Sequence, residues 1–83
     1  MGELLSLPNV GRVLERNLIA VGICCPGELR RIGAKEAFTR IRAIENGTCI
    51  QMLYGLHGAV ERIRDTELNE STKEDLRLFF RSL

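Results

Sequence analysis

The sequence predicts an all-α domain, a compact bundle of five to six short helices, and three observations predict it. Apolar residues recur at three- and four-residue steps along the chain. No stretch alternates with the period of two that marks a strand. Gly, Pro and Asn-Gly interrupt the pattern often enough to keep each helix short. Eighty-three residues make one domain with a single core, spanning 1–83. A hydrophobic fraction of 45% against 28% charged belongs to a folded globular chain rather than a disordered one.

The elements follow in order. A short first helix around Glu3–Ser6 ends at Leu7, because the residue before Pro8 is pushed out of the α region. Asn9 and Gly11 tolerate the left-handed or tight backbone that a corner needs. A second helix over about Gly11–Val21 has Val10, Val13, Leu14, Leu18 and Val21 as its expected buried face, with Gly22 placed for a positive φ beyond its end. Pro26 opens a short third helix, Glu28 stands near the positive end of its dipole, and Gly33 closes it after Ile32.

Ala34, Ala37, Phe38, Ile41 and Ile44 form the stripe of a fourth helix, ended by Asn46-Gly47. Thr48 is the expected cap of a fifth, which carries Ile50, Leu53, Leu56, Val60 and Ile63 inward. Ser71 and Glu74 have capping-box spacing for the last helix, along which Leu76, Phe79, Phe80 and Leu83 follow. Gly2-Glu3-Leu4 leading to Leu7 is echoed by Gly27-Glu28-Leu29 leading to Ile32, the kind of repeat that paired helix–hairpin–helix units show.

Charge and composition narrow the function classes. The net charge is +1, but its distribution is uneven. From Arg12 to Arg42 seven basic residues face three acids, an excess of +4, whereas from Glu61 to Arg81 five face six, a balance of −1. The opening MGELLSLPNV has neither a basic n-region nor a long apolar run, so no signal peptide, no membrane span and a cytoplasmic location are expected. Cys24, Cys25 and Cys49 read as reduced, buried or half-buried thiols.

Adjacent Cys24-Cys25 lack the separation that lets a zinc knuckle wrap one ion, so no metal site and no cofactor are expected. His57 has no nucleophile in a recognisable context, and neither a Walker-type loop nor a distinct carboxylate pair is present; an enzyme is not expected. Gly55 and Gly58, at i and i+3 inside a helix, signal the close approach of another backbone, either the hairpin within the domain or a second chain. Tyr54 is expected to bury its ring with its hydroxyl at the surface.

The runs LPNVGRVLERNLIAVGI, PGELRRIGAKEAFTRIRA, CIQMLYGLHGAVERIR and KEDLRLFFR resemble the C-terminal domain of the TfoX/Sxy competence-regulator family, from about Leu4 to Arg81. The most specific elements are the Leu-Pro-Asn-x-Gly corner, Gly22-Ile23, Leu-x-x-Ile-Gly-Ala at 29–34 and Leu-Tyr-Gly-Leu at 53–56. The resemblance implies a helical domain related to SAM-like and helix–hairpin–helix folds, associated with switching on DNA uptake genes. Family members also carry an N-terminal domain, so this sequence reads as a stand-alone version. Cys24-Cys25 before Pro26 departs from the Ser or Thr cap that relatives more often offer there.

Two readings of the working surface stay open. In the first, a protein-interaction domain acts in transcription regulation or DNA metabolism, its partner a regulator or a protein carrying the family's N-terminal domain. In the second, a weak, non-specific DNA module holds a phosphate at the corner, where Val10, Gly11 and Arg12 offer backbone N–H groups and Arg12 and Arg16 add charge. The shared candidate residues are Pro8, Asn9, Val10, Gly11, Arg12, Arg16, Arg30, Arg31 and Lys35. Asn9 stands where such hairpins carry a first glycine, and Glu15 lowers the local potential. A homodimer is a separate hypothesis, resting on Gly55, Gly58 and the broad apolar face of the fifth helix.

Overall fold

Residues with a left-handed or positive φ mark four of the turns in this chain: Asn9, Gly22, Gly33 and Arg62. The computed structural model describes residues 3–83, and every regular element among them is helical. A single 3-10 turn, Leu4–Ser6, stands where the first helix is expected. Leu7 then takes an extended conformation before Pro8, and Asn9 adopts a left-handed φ of 69°. The chain continues as α1 (Arg12–Ala20), α2 (Pro26–Ile32), α3 (Ala34–Ile44) and α4 (Ile50–Glu61). A second 3-10 turn, Asp65–Glu67, precedes α5 (Glu70–Arg81). The Gly2 half of the sequence echo lies outside the described residues.

Helix ends follow a common logic. Beyond α1, Gly22 at φ 87° lets its own N–H reach Ile19 O and lets Ile23 N–H reach Leu18 O, closing a Schellman turn that buries Ile23. Beyond α4 the same pair of bonds forms around Arg62, a non-glycine residue at φ 61°. Gly33, at φ 91° and ψ 158°, is at once the end of α2 and the start of α3, in a region essentially closed to L side chains.

Helix α4 is the axis of the bundle: α2, α3, α5 and the second 3-10 turn all pack on it. Its Leu53 and Leu56 meet Leu4, Leu18, Ile23, Leu29, Phe38, Ile41 and Leu76 in one fully buried core. The Phe38 and Phe80 rings, 5.9 Å apart, join α3 to α5. Because neighbours surround α4, its broad apolar character serves the core of this chain.

Several local expectations are corrected. Val13 is 65% exposed, because the buried stripe of α1 runs through Leu14, Asn17 and Leu18, and the polar Asn17 takes an inward position. Ile44, the last residue of α3, is 58% exposed. Thr48 does not cap α4; Cys49 occupies the N-cap position and its side chain makes no cap bond. Helix α5 starts two residues before the Ser71 capping box, since Asn69 comes first and its Oδ1 accepts from Thr72 N–H at 2.8 Å. Gly11 is extended rather than left-handed, at φ −97° and ψ −174°.

Candidate functional site

The corner between the first 3-10 turn and α1 is built from the inside. Asn9, in its left-handed conformation, turns its amide toward the C-terminal end of α4. Its Nδ2 donates to Ile63 O at 3.0 Å and to Gly55 O at 3.3 Å, while its Oδ1 accepts from Asp65 N–H at 3.1 Å. Both the amide nitrogen and the amide oxygen of this side chain are engaged within the domain. Gly58 makes room for it, and Gly55 lies against it at ordinary contact distance. A Cβ on Gly58 would lie 2.6 Å from Asn9 Nδ2 and 2.7 Å from Ile63 O, and one on Gly55 would lie 3.4 Å from Asn9 Cβ. The close approach expected at Gly55 and Gly58 is made by the hairpin of the same chain.

This geometry divides the nine candidate residues. Asn9 is architecture, and Pro8 is half-buried beside it. Val10 is buried and its N–H already points to Leu7 O at 3.5 Å, so it does not present an amide to a ligand. Gly11 is different. It is exposed, its backbone suits any residue, and a Cβ there would meet nothing within 4 Å. As the N-cap of α1 it supplies no side chain to the first amide groups of that helix.

Arg12 and Arg16 share one outward face of α1 at i and i+4, with Ile19 completing the i+7 position. Both arginines are exposed, and among the described residues neither has an ion-pair partner. Val13 and Ile19, 65% and 47% exposed, place aliphatic surface beside these charges.

Two of the remaining cations have acidic partners of their own. Lys35 turns to α5: its Nζ lies 2.8 Å from Asp75 Oδ2 and 5.4 Å from the centre of the Phe79 ring. That contact ties the start of α3 to α5. Arg40 pairs with Glu36 along α3 at 3.1 Å. Arg30 and Arg31 are exposed in the last turn of α2, which packs on α3 and α4, whereas α1 packs on α3 and the first 3-10 turn.

Other groups fall into structural roles. Glu28 reaches back to accept from Cys24 N–H at 3.0 Å, which fixes the chain just before α2, while the Cys25 side chain makes no cap bond. Cys24 and Cys49 are exposed rather than buried, and Cys25 is half-buried. Among the described residues no cluster of His, Cys, Asp or Glu is arranged to hold a metal ion, and no helix is long and apolar enough to cross a membrane. His57 pairs with Glu61 one turn along α4 at 3.1 Å.

Tyr54 buries its ring, and its hydroxyl accepts from Arg77 Nη1 at 3.3 Å. Arg77 also binds Glu74 at 2.7 Å. The hydrogen bond and charge of Arg77 hold the Glu74 carboxyl below its ordinary pKa. The hydrogen bonds to Glu74 and then Tyr54 raise that of the Arg77 guanidinium.

Comparison with known proteins places this arrangement. The model of the TfoX C-terminal domain matches residues 1–80. A crystal structure of an uncharacterized protein from Listeria monocytogenes, in a triclinic form, is 47% identical with a TM-score of 0.93, covering 95% of this chain and 90% of its own. A tetragonal form of a Listeria monocytogenes protein of unknown function is 45% identical with a TM-score of 0.90, covering 99% and 98% respectively. No curated protein matches the chain.

Proposed function

The chain belongs to the family of TfoX C-terminal domains, and on that premise we propose that it is a non-enzymatic interaction domain. It acts in transcription regulation or DNA metabolism connected with DNA transformation, by protein–protein contact through the outward face of α1. The observation that carries this reading is the pairing of two uncommitted arginines, Arg12 and Arg16, with the exposed aliphatic side chains of Val13 and Ile19. Such a mixture suits a protein surface better than a phosphate backbone. Aliphatic groups gain from leaving water, and arginine is enriched where interfaces concentrate their binding energy. The partner it fits presents acidic side chains around an apolar centre.

The test uses the isotopically labelled domain and a protein carrying the family's N-terminal domain from the same organism. Amide shifts concentrated in Arg12–Ala20, abolished by the double change Val13→Glu and Arg16→Glu, support the proposal. Shifts confined to other helices, or none at all, overturn it for this partner class and this surface.

One observation favours the second reading, a weak DNA-phosphate clamp: Gly11 leaves the first amides of α1 without a side-chain cap although the backbone there does not require glycine. Gly11→Asp separates the two. It supplies a cap and leaves stability equal or raised by a few tenths of a kcal/mol, while its carboxylate repels phosphate. Anisotropy of a labelled duplex that binds the native domain at low salt, weakens as salt rises and is lost in Gly11→Asp would favour the DNA reading.

A further inference from the structure

The turn between α3 and α4 contains Asn46-Gly47, and nothing in the sites described above uses it. We propose that Asn46 is a site of spontaneous covalent modification, converting by way of a succinimide to aspartate and isoaspartate. In the first step the backbone nitrogen of Gly47 attacks Cγ of Asn46, the new N–C bond closes a five-membered imide, and ammonia leaves with the proton that the nitrogen gives up. Water then opens the ring at either carbonyl. One opening restores the backbone as aspartate; the other routes it through the former side chain as isoaspartate.

The structure singles out this asparagine among the four in the chain. Asn9 is held by three hydrogen bonds and followed by Val10. Asn17 is buried inside α1 and followed by Leu18. Asn69 caps α5, with Oδ1 accepting from both Thr72 N–H and the Ser71 hydroxyl.

Asn46 and Gly47 are both exposed in an irregular turn, and among the described residues neither the Asn46 amide nor the Gly47 N–H has a hydrogen-bond partner. Glycine at the attacking position removes the Cβ that would obstruct the approach. A Cβ built on Gly47 would meet only Glu45 Oε1, at 4.0 Å, so the turn is open around the attacking residue.

The product alters a defined surface. Arg42, Glu45, Asn46, Thr48, Phe80 and Leu83 line an open cleft of about 380 Å³. Deamidation places a second carboxylate next to Glu45 on its rim and takes the net charge from +1 to zero. The isoaspartyl product also lengthens the link between α3 and α4, the two helices with the most extensive mutual contact.

The experiment ages the purified chain at neutral and mildly alkaline pH and follows it by peptide mass spectrometry and by methyl acceptance from S-adenosylmethionine with an isoaspartyl methyltransferase. A gain of one mass unit at the Asn46 peptide, faster at the higher pH and ahead of the peptides containing Asn9, Asn17 and Asn69, is expected. Gly47→Ala, which the available space accepts, slows it by about an order of magnitude because the added methyl group obstructs attack. Unchanged mass at Asn46, equal rates in Gly47→Ala, or earlier conversion of another asparagine would overturn the proposal.

Discussion

Replacing Gly58 by alanine tests the architecture of the corner most directly. In an ordinary helix interior this change adds about 1 kcal/mol of stability, because glycine is the poorer helix former. Here the new methyl carbon would lie 2.6 Å from Asn9 Nδ2 and 2.7 Å from Ile63 O, distances that real Cβ contacts do not reach. Asn9 must move, and it cannot be the only group to do so, because the Ile63 carbonyl is backbone and must shift as well. Expelling its amide loses three partly buried hydrogen bonds, each worth about 1 kcal/mol, and leaves Ile63 O and Asp65 N–H short of partners.

Subtracting the helix gain leaves a net loss of at least about 2 kcal/mol before the backbone shift is counted, a large share of the roughly 4–12 kcal/mol that a domain of this size has. The melting temperature should fall by at least about 8 °C. Circular dichroism on heating and in urea measures it, with two companions. Gly55→Ala places its Cβ 3.4 Å from Asn9 Cβ, an ordinary contact, and is expected to hold or gain stability by up to about 1 kcal/mol. Asn9→Gly keeps the left-handed backbone while deleting the three bonds, and should lower stability without any clash. A Gly58→Ala domain as stable as the native one, or an Asn9→Gly domain with no loss, would refute the reasoning.

Two further outcomes follow from the ion pairs. Lys35→Ala removes an exposed pair with Asp75 and the contact over Phe79, so unfolding should show a loss below about 1 kcal/mol that shrinks in high salt. The same variant should leave partner binding at α1 unchanged. The depressed pKa of Glu74 means that the folded state holds its carboxylate more readily than the unfolded chain does. Its contribution to stability is therefore complete above the ordinary value of 4.5 and is lost as pH falls through the lower, folded one. Carboxyl titration by NMR should give a midpoint below 4.5 in the native domain, moving upward in Arg77→Met.

Much of the fold is written locally. Pro26 and Gly33 bracket α2, Gly22 closes α1, and the left-handed tolerance of Asn9 is used as its residue type suggests. What local pattern does not carry is the identity of distant partners. The spacing of Gly55 and Gly58 announces a close approach, yet only the folded chain reveals that Asn9 makes it, across 46 residues to Gly55 and 56 to Asp65. Val13 and Leu14 look equivalent by periodicity, and the choice between them depends on how α1 sits on α3. Charge was similarly ambiguous: Lys35 and Arg12 read alike until Asp75, 40 positions along the chain from Lys35, engages one of them. The caps at Thr48 and Ser71 failed for a simpler reason, since an adjacent or earlier residue took the N-cap position.

The Asn9 clamp also bears on the order in which the domain forms. Neighbouring helices such as α2, α3 and α4 meet across short connections, so little chain entropy opposes their first encounters. The clamp closes a loop of more than fifty residues for the sake of a few polar contacts, a poor exchange early in folding when that entropy is still unpaid. Its bonds belong on the native side of the transition state. Loosening them should leave the refolding rate nearly intact and shorten the lifetime of the folded molecule instead, making this corner the latch that governs how often the bundle opens.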